Sequence, residues 1–155
     1  MSKGKATGRQ LRGRVLAGAC AALAAAAAAP AAWAAVASGT YNGRVNQSDL
    51  VKNHNGKISL TVHGATITKL KVVTEVVCVA SNMSQAYGED TYAPRVHIRI
   101  HGSRFSWQQT GSGSDFSIKG QFKANRVTGT VYNQFTDPTY GYCTTSFHQP
   151  FAARR

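Results

Sequence analysis

Lys57-Ile58-Ser59-Leu60-Thr61-Val62-His63 alternates strictly, with Ile58, Leu60 and Val62 on one face and polar side chains on the other. Arg95-Val96-His97-Ile98-Arg99-Ile100-His101 does the same without exception. Period-two alternation places one row of side chains in a core and the other in water, which is the pattern of a strand covered on one face. Gly64-Ala65 links the first strand tightly to Thr66 through Val73, where Leu70 and Val72 share one face and Lys69 and Lys71 the other. Ile67 is out of phase with that series, which predicts a bulge nearby. Val76 to Val79 continues as an extended apolar stretch.

Outward from these strands the grammar repeats. Gly39-Thr40-Tyr41-Asn42-Gly43-Arg44-Val45 reads as a first strand. Gly102-Ser103 turns the chain into Arg104 to Gln109, with Phe105 and Trp107 in phase. Gly111-Ser112-Gly113-Ser114-Asp115 forms a hairpin into Phe116, Ile118, Gly120 and Phe122. Lys123-Ala124-Asn125-Arg126 turns back into Val127, Gly129 and Val131. Residues 80 to 94 read as the longest irregular segment, and Thr136 to Gly141 as a looser stretch before a last strand around Cys143 to Phe147, which Pro150 ends or leaves at an edge. About eight strands joined by short links pair as antiparallel neighbours, because parallel pairing needs a long crossover. The expected class is all-β, a small barrel or sandwich. Its core would hold Ile58, Leu60, Val62, Leu70, Val72, Val96, Ile98, Ile100, Phe105, Trp107, Phe116, Ile118, Phe122, Val127, Val131 and Phe147.

Residues 1 to 14 are polar and basic, Val15 to Ala29 are apolar and uncharged, and Pro30 is followed by small residues. Ala32-Trp33-Ala34 and Ala35-Val36-Ala37 both satisfy the small-x-small rule of signal cleavage. The expectation is a signal peptide over 1–34, with 37 as the other cleavage point, and a single domain over 35–155 exported to the periplasm or the cell exterior. An alanine-dominated segment inserts poorly as a membrane anchor, and Cys20 stands wrongly spaced for lipid attachment, inside an apolar run that continues past it. The leader holds five of the 18 basic residues and none of the six acids, so the remainder carries 13 minus 6, or +7, against +12 for the whole chain. It contains no apolar run long enough to span a bilayer as a helix, and its length excludes a TIM barrel or a full dinucleotide-binding fold. Cys78 and Cys143 then form an even pair in an exported domain, which reads as one disulfide.

The opening Gly39 to Gly43, the strand Lys57 to Val62, the pair Gly120-Gln121-Phe122 and Val127-Thr128-Gly129-Thr130-Val131, and the final strand with Cys143 resemble those of small exported bacterial all-β proteins of unassigned activity. That resemblance spans most of the mature chain, implies a secreted β domain with one disulfide and carries over no catalytic residue. Gly39-Thr40-Tyr41 is also similar to the first strand of avidin-like barrels, but the biotin-contacting pattern of that family cannot be placed here.

For function, Arg95, His97, Arg99 and His101 form one outward row and Lys69 and Lys71 a second. Should the two strands be neighbours, they make a basic plaque suited to phosphate- or carboxylate-bearing polymers. The plainer reading is a solvated face, with cations that discourage edge pairing. Tyr87, Tyr92, Tyr132, Tyr140 and Tyr142 cluster in the two loosest regions, flanked by Cys78 and Cys143, and form a candidate binding rim for sugars or protein surfaces; capping the ends of the core is their plainer role. His97 and His101 lie about 13 Å apart on a strand and cannot share one metal ion without a sharp bend. No Gly-x-Ser-x-Gly elbow, P-loop, dinucleotide fingerprint or EF-hand occurs, and Glu89 and Asp90 point apart in an extended chain. The expectation is therefore a non-enzymatic binding module without cofactor or metal, its partner an anionic polysaccharide, another envelope polymer or a protein surface. A small-ligand barrel or a hydrolase with a loop-assembled site is the alternative.

Overall fold

The computed structural model describes residues 36–46, 56–145 and 147–155. The expected signal peptide over 1–34, Cys20 within it, and Asp49 lie outside the described residues. Ten strands run in chain order: β1 (Gly39–Val45), β2 (Gly56–His63), β3 (Thr66–Val79), β4 (Gln85–Tyr92), β5 (Arg95–Arg99), β6 (Arg104–Gly111), β7 (Ser114–Lys123), β8 (Arg126–Asp137), β9 (Gly141–Thr144) and β10 (Gln149–Arg154). Every pairing is antiparallel, as short links require.

A hydrogen-bonded circuit of six strands closes in the order β10-β1-β2-β3-β9-β8 and back to β10, so the fold is a barrel rather than a sandwich. β7 and then β6 extend from the other edge of β8, while β4 and β5 share the other edge of β3. Closure leaves no free edge within the six-strand circuit, while β4, β5 and β6 outside it each pair along one edge. β5 and β6 meet through the His101–Arg104 bridge at the Gly102-Ser103 turn.

Two differences from the sequence reading have physical causes. Residues 80 to 94 are mostly strand: β4 pairs β3 from Val72–Tyr92 to Val79–Gln85. Its polar composition reflects a strand with little covering it, since Gln85, Tyr87, Gly88, Glu89 and Thr91 are exposed. β4 and β5 are successive lengths along one edge of β3, broken at Ala93-Pro94 because proline supplies no N–H to the ladder. The last strand is β10, not the Cys143 region, and Pro150 sits inside it. Pro150 accepts the Asn46 N–H at 2.8 Å on the side where β1 ends, so its missing donor leaves no ladder bond unmade within β1. The predicted bulge is present. Thr61 pairs with Lys69 but Val62 with Ile67, so Thr68 is the extra residue and Ile67 is restored to the core.

The main core draws on the inward faces of β1, β2, β3, β5, β6, β7, β8 and β10. It adds Tyr41, Val45, Ile67, Phe151 and Ala153 to the expected set, while Trp107 packs against its margin and Phe147 is 43% exposed, beyond the end of β9. Tyr41 is completely buried, and its hydroxyl donates to the Ala37 carbonyl at 2.8 Å. Gly120 and Gly129 face each other across β7 and β8. A Cβ on Gly129 would collide with the Lys119 carbonyl oxygen and lie 2.8 Å from the Phe151 ring, and one on Gly120 would lie 2.7 Å from the Phe105 ring. The paired glycines are where two core aromatics lie against bare backbone.

A second, smaller cluster contains Val76, Cys78 and Cys143, with Ala86 and Phe135 packed on it. Cys78 and Cys143 are direct cross-strand partners on β3 and β9 and are joined by a disulfide of 2.01 Å.

Candidate functional site

The structure makes β3 and β5 neighbours, as the plaque requires, and Lys69 lies directly opposite Arg95. Arg99 is opposite Thr66, and His97, Arg99 and His101 continue along β5 toward its turn. All three, with Lys69, Lys71 and Arg95, are exposed. Lys71 lies on the other flank, opposite Ser59 of β2. Two further cations, which the sequence reading did not include, join this side: Arg44 of β1 is directly opposite Lys57 of β2. Their outward phase was legible in each strand. Their adjacency was not, because it depends on β1 pairing with β2 across residues 46 to 55.

Two surface depressions cross this face. One is lined by Asn42, Lys57, Ser59, Lys71, Glu89 and Thr91 among others. The second is lined by Thr61, Thr68, Lys69, Pro94 and Arg95, and shares Ser59 and Lys71 with the first. Lys71 thus stands where the two join. Ser59 donates to the Asn42 side chain at 2.8 Å, and Thr40 and Thr61 hydroxyls meet at 3.2 Å, which fixes a row of polar groups between the cations. Away from this face, Arg126 of β8 is opposite both Lys123 of β7 and Arg154 of β10.

The tyrosines divide. Tyr87 on β4 and Tyr142 on β9 lie on either side of β3, opposite Val77 and Val79, and are 52% and 44% exposed. Tyr132 hydrogen-bonds Gln134 and stacks on His148 with ring centroids 5.2 Å apart. Tyr142 lies against it, and its hydroxyl is held above the ordinary tyrosine range by burial, then by Tyr132. Tyr140 stands exposed in the β8–β9 turn. The disulfide joins β3 to β9 between the strands that carry Tyr87 and Tyr142. Tyr92 departs from the group: partly buried, it stacks on Phe116 at 4.1 Å at the margin of the main core.

Glu75 and Glu89 are direct cross-strand partners on β3 and β4. Glu89 lines the first depression, whereas Glu75 is buried and does not, so the two carboxylates do not face one cleft there. Among the described residues no three of His, Cys, Asp and Glu come together to hold a metal ion, and no helix is long and apolar enough to cross a membrane.

Sequence reasoning missed a third constellation. Between the two hydrophobic clusters the barrel buries polar side chains: Thr74, Asn133, Thr145 and Gln149. They sit at inward positions otherwise filled by apolar residues. The period-two phase of β3, β8 and β10 could have shown Thr74, Asn133 and Gln149, but β10 was not recognised as a strand, and Thr145 lies just beyond β9 with no strand phase to mark it.

No protein-family model, curated protein or solved structure matches the chain.

Proposed function

We propose that the domain is an exported, non-enzymatic binding module whose β1-β2-β3-β5 face holds an extended, carboxylate- or phosphate-bearing polymer. The observation that carries this reading is the direct opposition of like charges, Arg44 to Lys57 and Lys69 to Arg95. Opposed cations on neighbouring strands are destabilising in isolation. A polyanion laid across them converts that repulsion into binding. Strands lie about 4.8 Å apart and alternate residues along a strand about 6.7 Å apart, so the cations form a regular lattice over two joined depressions. Such a surface binds through summed charge without a deep pocket. The disulfide fits an oxidising compartment, in keeping with export.

The test is affinity for polygalacturonate and for long-chain polyphosphate in low salt, with dextran as the neutral control. The Lys69→Gln, Lys71→Gln, Arg95→Gln triple variant is expected to bind at least about tenfold more weakly. Lys123→Gln with Arg126→Gln should matter far less. The reverse order would move the site to the β7-β8-β10 side, and equal binding of dextran would end the electrostatic reading.

A further inference from the structure

The outer faces of β6, β7 and β8 carry two rows of polar groups. Ser106, Lys119 and Thr130 are direct partners across the three strands, and Arg104, Gln121 and Thr128 form the next outward row toward the β5–β6 turn. Direct partners put their side chains on one face of a sheet. Diagonal neighbours such as Arg104 and Lys119 lie about 7 to 8 Å apart, within reach of long side chains. His101 joins them as the backbone partner of Arg104: its N–H donates to the Arg104 carbonyl at 2.8 Å, and its carbonyl accepts the Arg104 N–H at 3.0 Å. The Gln121 amide donates to Ser103 Oγ at 3.3 Å and the Phe122 N–H to the Ser103 carbonyl at 2.7 Å, so the turn is tied down on β7.

A depression of about 580 Å³ lies over these rows, and its lining includes Arg104, Ser106, Lys119, Thr128 and Thr130. A second, at the turn, shares His101, Arg104 and Gln121 with it, so the two are continuous. The volume falls within the roughly 300 to 1,000 Å³ usual for small-molecule sites. The row between the two polar rows is Phe105, Gly120 and Gly129, and it lines the depression too. Phe105 points into the core and the glycines have no side chain, so a bare strip of backbone separates the polar rows. No Asp or Glu lines either depression, whereas Glu89 lines the one on the basic face. Thr130 Oγ1 has no hydrogen-bond partner among the described residues, a bond left for a ligand oxygen to make.

We infer that the β6-β7-β8 face binds a small molecule with a flat apolar body and one carboxylate or phosphate group. The chemistry of the depression selects that class. Arg104 and Lys119 flank the bare strip diagonally and together neutralise one oxyanion, with His101 and Ser106 as further donors. The strip lets a ring lie flat, because the backbone groups of Gly120 and Gly129 already pair in the β7–β8 ladder and no side chain stands above them. A bare inorganic ion would leave that strip unused, and a neutral ring would leave both cations without a partner. The depression shares only His101 with the candidate anion-binding residues of β3 and β5. It does not rest on the polymer reading, and either can fail without the other.

The experiment is a titration of the folded protein with phenyl phosphate and with benzoate, followed by the backbone amide NMR signals of Gly120 and Gly129. Inorganic phosphate and benzyl alcohol probe each half of the ligand alone. Saturable shifts with one Kd are expected for at least one aromatic anion, at least about tenfold tighter than for either half. Arg104→Gln and Lys119→Gln, both at exposed positions outside the core, should each weaken that Kd at least about fivefold. Lys123→Gln, on the same face of β7 but outside the depression, should leave it unchanged. No saturable shift up to tens of millimolar with either aromatic anion would overturn the proposal. So would inorganic phosphate or benzyl alcohol binding as tightly, or a Kd that neither variant alters.

Discussion

Removing the cross-link between β3 and β9 has an effect that can be worked out from the fold. The 65-residue separation of Cys78 and Cys143 makes the bridge a strong constraint on the unfolded chain. The loop-closure model gives about 4 kcal/mol for a loop of this length. A domain of this size shifts its Tm by about 4 °C per kcal/mol, so a Cys78→Ala, Cys143→Ala double variant should melt roughly 15 °C lower. The structure also says where the native state will loosen. β9 has only four residues and belongs to the small cluster with Val76, Ala86 and Phe135, apart from the main core. Far-ultraviolet circular dichroism should therefore be unchanged, while amide exchange accelerates in Gly141–Thr144 and, for the amides of β1 and β2 that exchange only through global unfolding, by the factor that the loss of stability sets. Thermal melts of the variant and of thiol-reduced wild type provide the assay, and the two should agree within a few degrees. A shift below about 5 °C, or exchange that accelerates in Gly141–Thr144 alone and leaves β1 and β2 unchanged, would refute the assignment of the bridge as a staple acting mainly through the unfolded chain.

Three other outcomes follow from specific contacts. Gly129→Ala should destabilise by about 2 to 3 kcal/mol in denaturant titrations, because its new methyl would meet the Lys119 carbonyl and the Phe151 ring; a loss below about 0.5 kcal/mol would mean the β7–β8 pair can spread. Ala124 sits at a φ of 53° in the β7–β8 turn, so Ala124→Asn should stabilise by up to about 1 kcal/mol, measured the same way, and a loss of stability would contradict the turn geometry. Burial, then the neighbouring Asp90 carboxylate, lets Tyr92 keep its proton in the folded state above pH 10, its ordinary value, where the unfolded chain has lost it. Its contribution is therefore full below pH 10 and is lost as pH rises through the folded-state value. Tyrosinate absorbance of wild type minus Tyr92→Phe should show one late-ionising group; a group titrating with the exposed tyrosines would contradict the burial of this hydroxyl.

Much of the barrel was readable because period-two alternation survives wherever one face is buried and the other wet. β2, β5 and β7 are of that kind, and even the bulge at Thr68 showed as a phase error at Ile67. β4 was missed for the converse reason: its inward positions include Gly88 and Asp90, so no apolar row marks it. β10 was missed because Pro150 and the small Ala152 and Ala153 conceal a strand that pairs on both edges. The candidate sites followed suit. Lys69, Arg95 and their strand mates were visible as outward rows, whereas the opposition of Arg44 and Lys57 depends on strand order, and the buried group of Thr74, Asn133, Thr145 and Gln149 depends on contacts between residues far apart in the chain.

Salt dependence of polyphosphate binding tests the central claim most directly. Four displaced phosphate contacts predict a fall in affinity of about fifty-fold between about 50 and 200 mM salt. The Lys69→Gln, Lys71→Gln, Arg95→Gln variant should show a logarithmic slope shallower by about 2. An affinity that holds constant over that range, or a slope the variant leaves unchanged, would contradict binding by the opposed cations of the β1-β2-β3-β5 face.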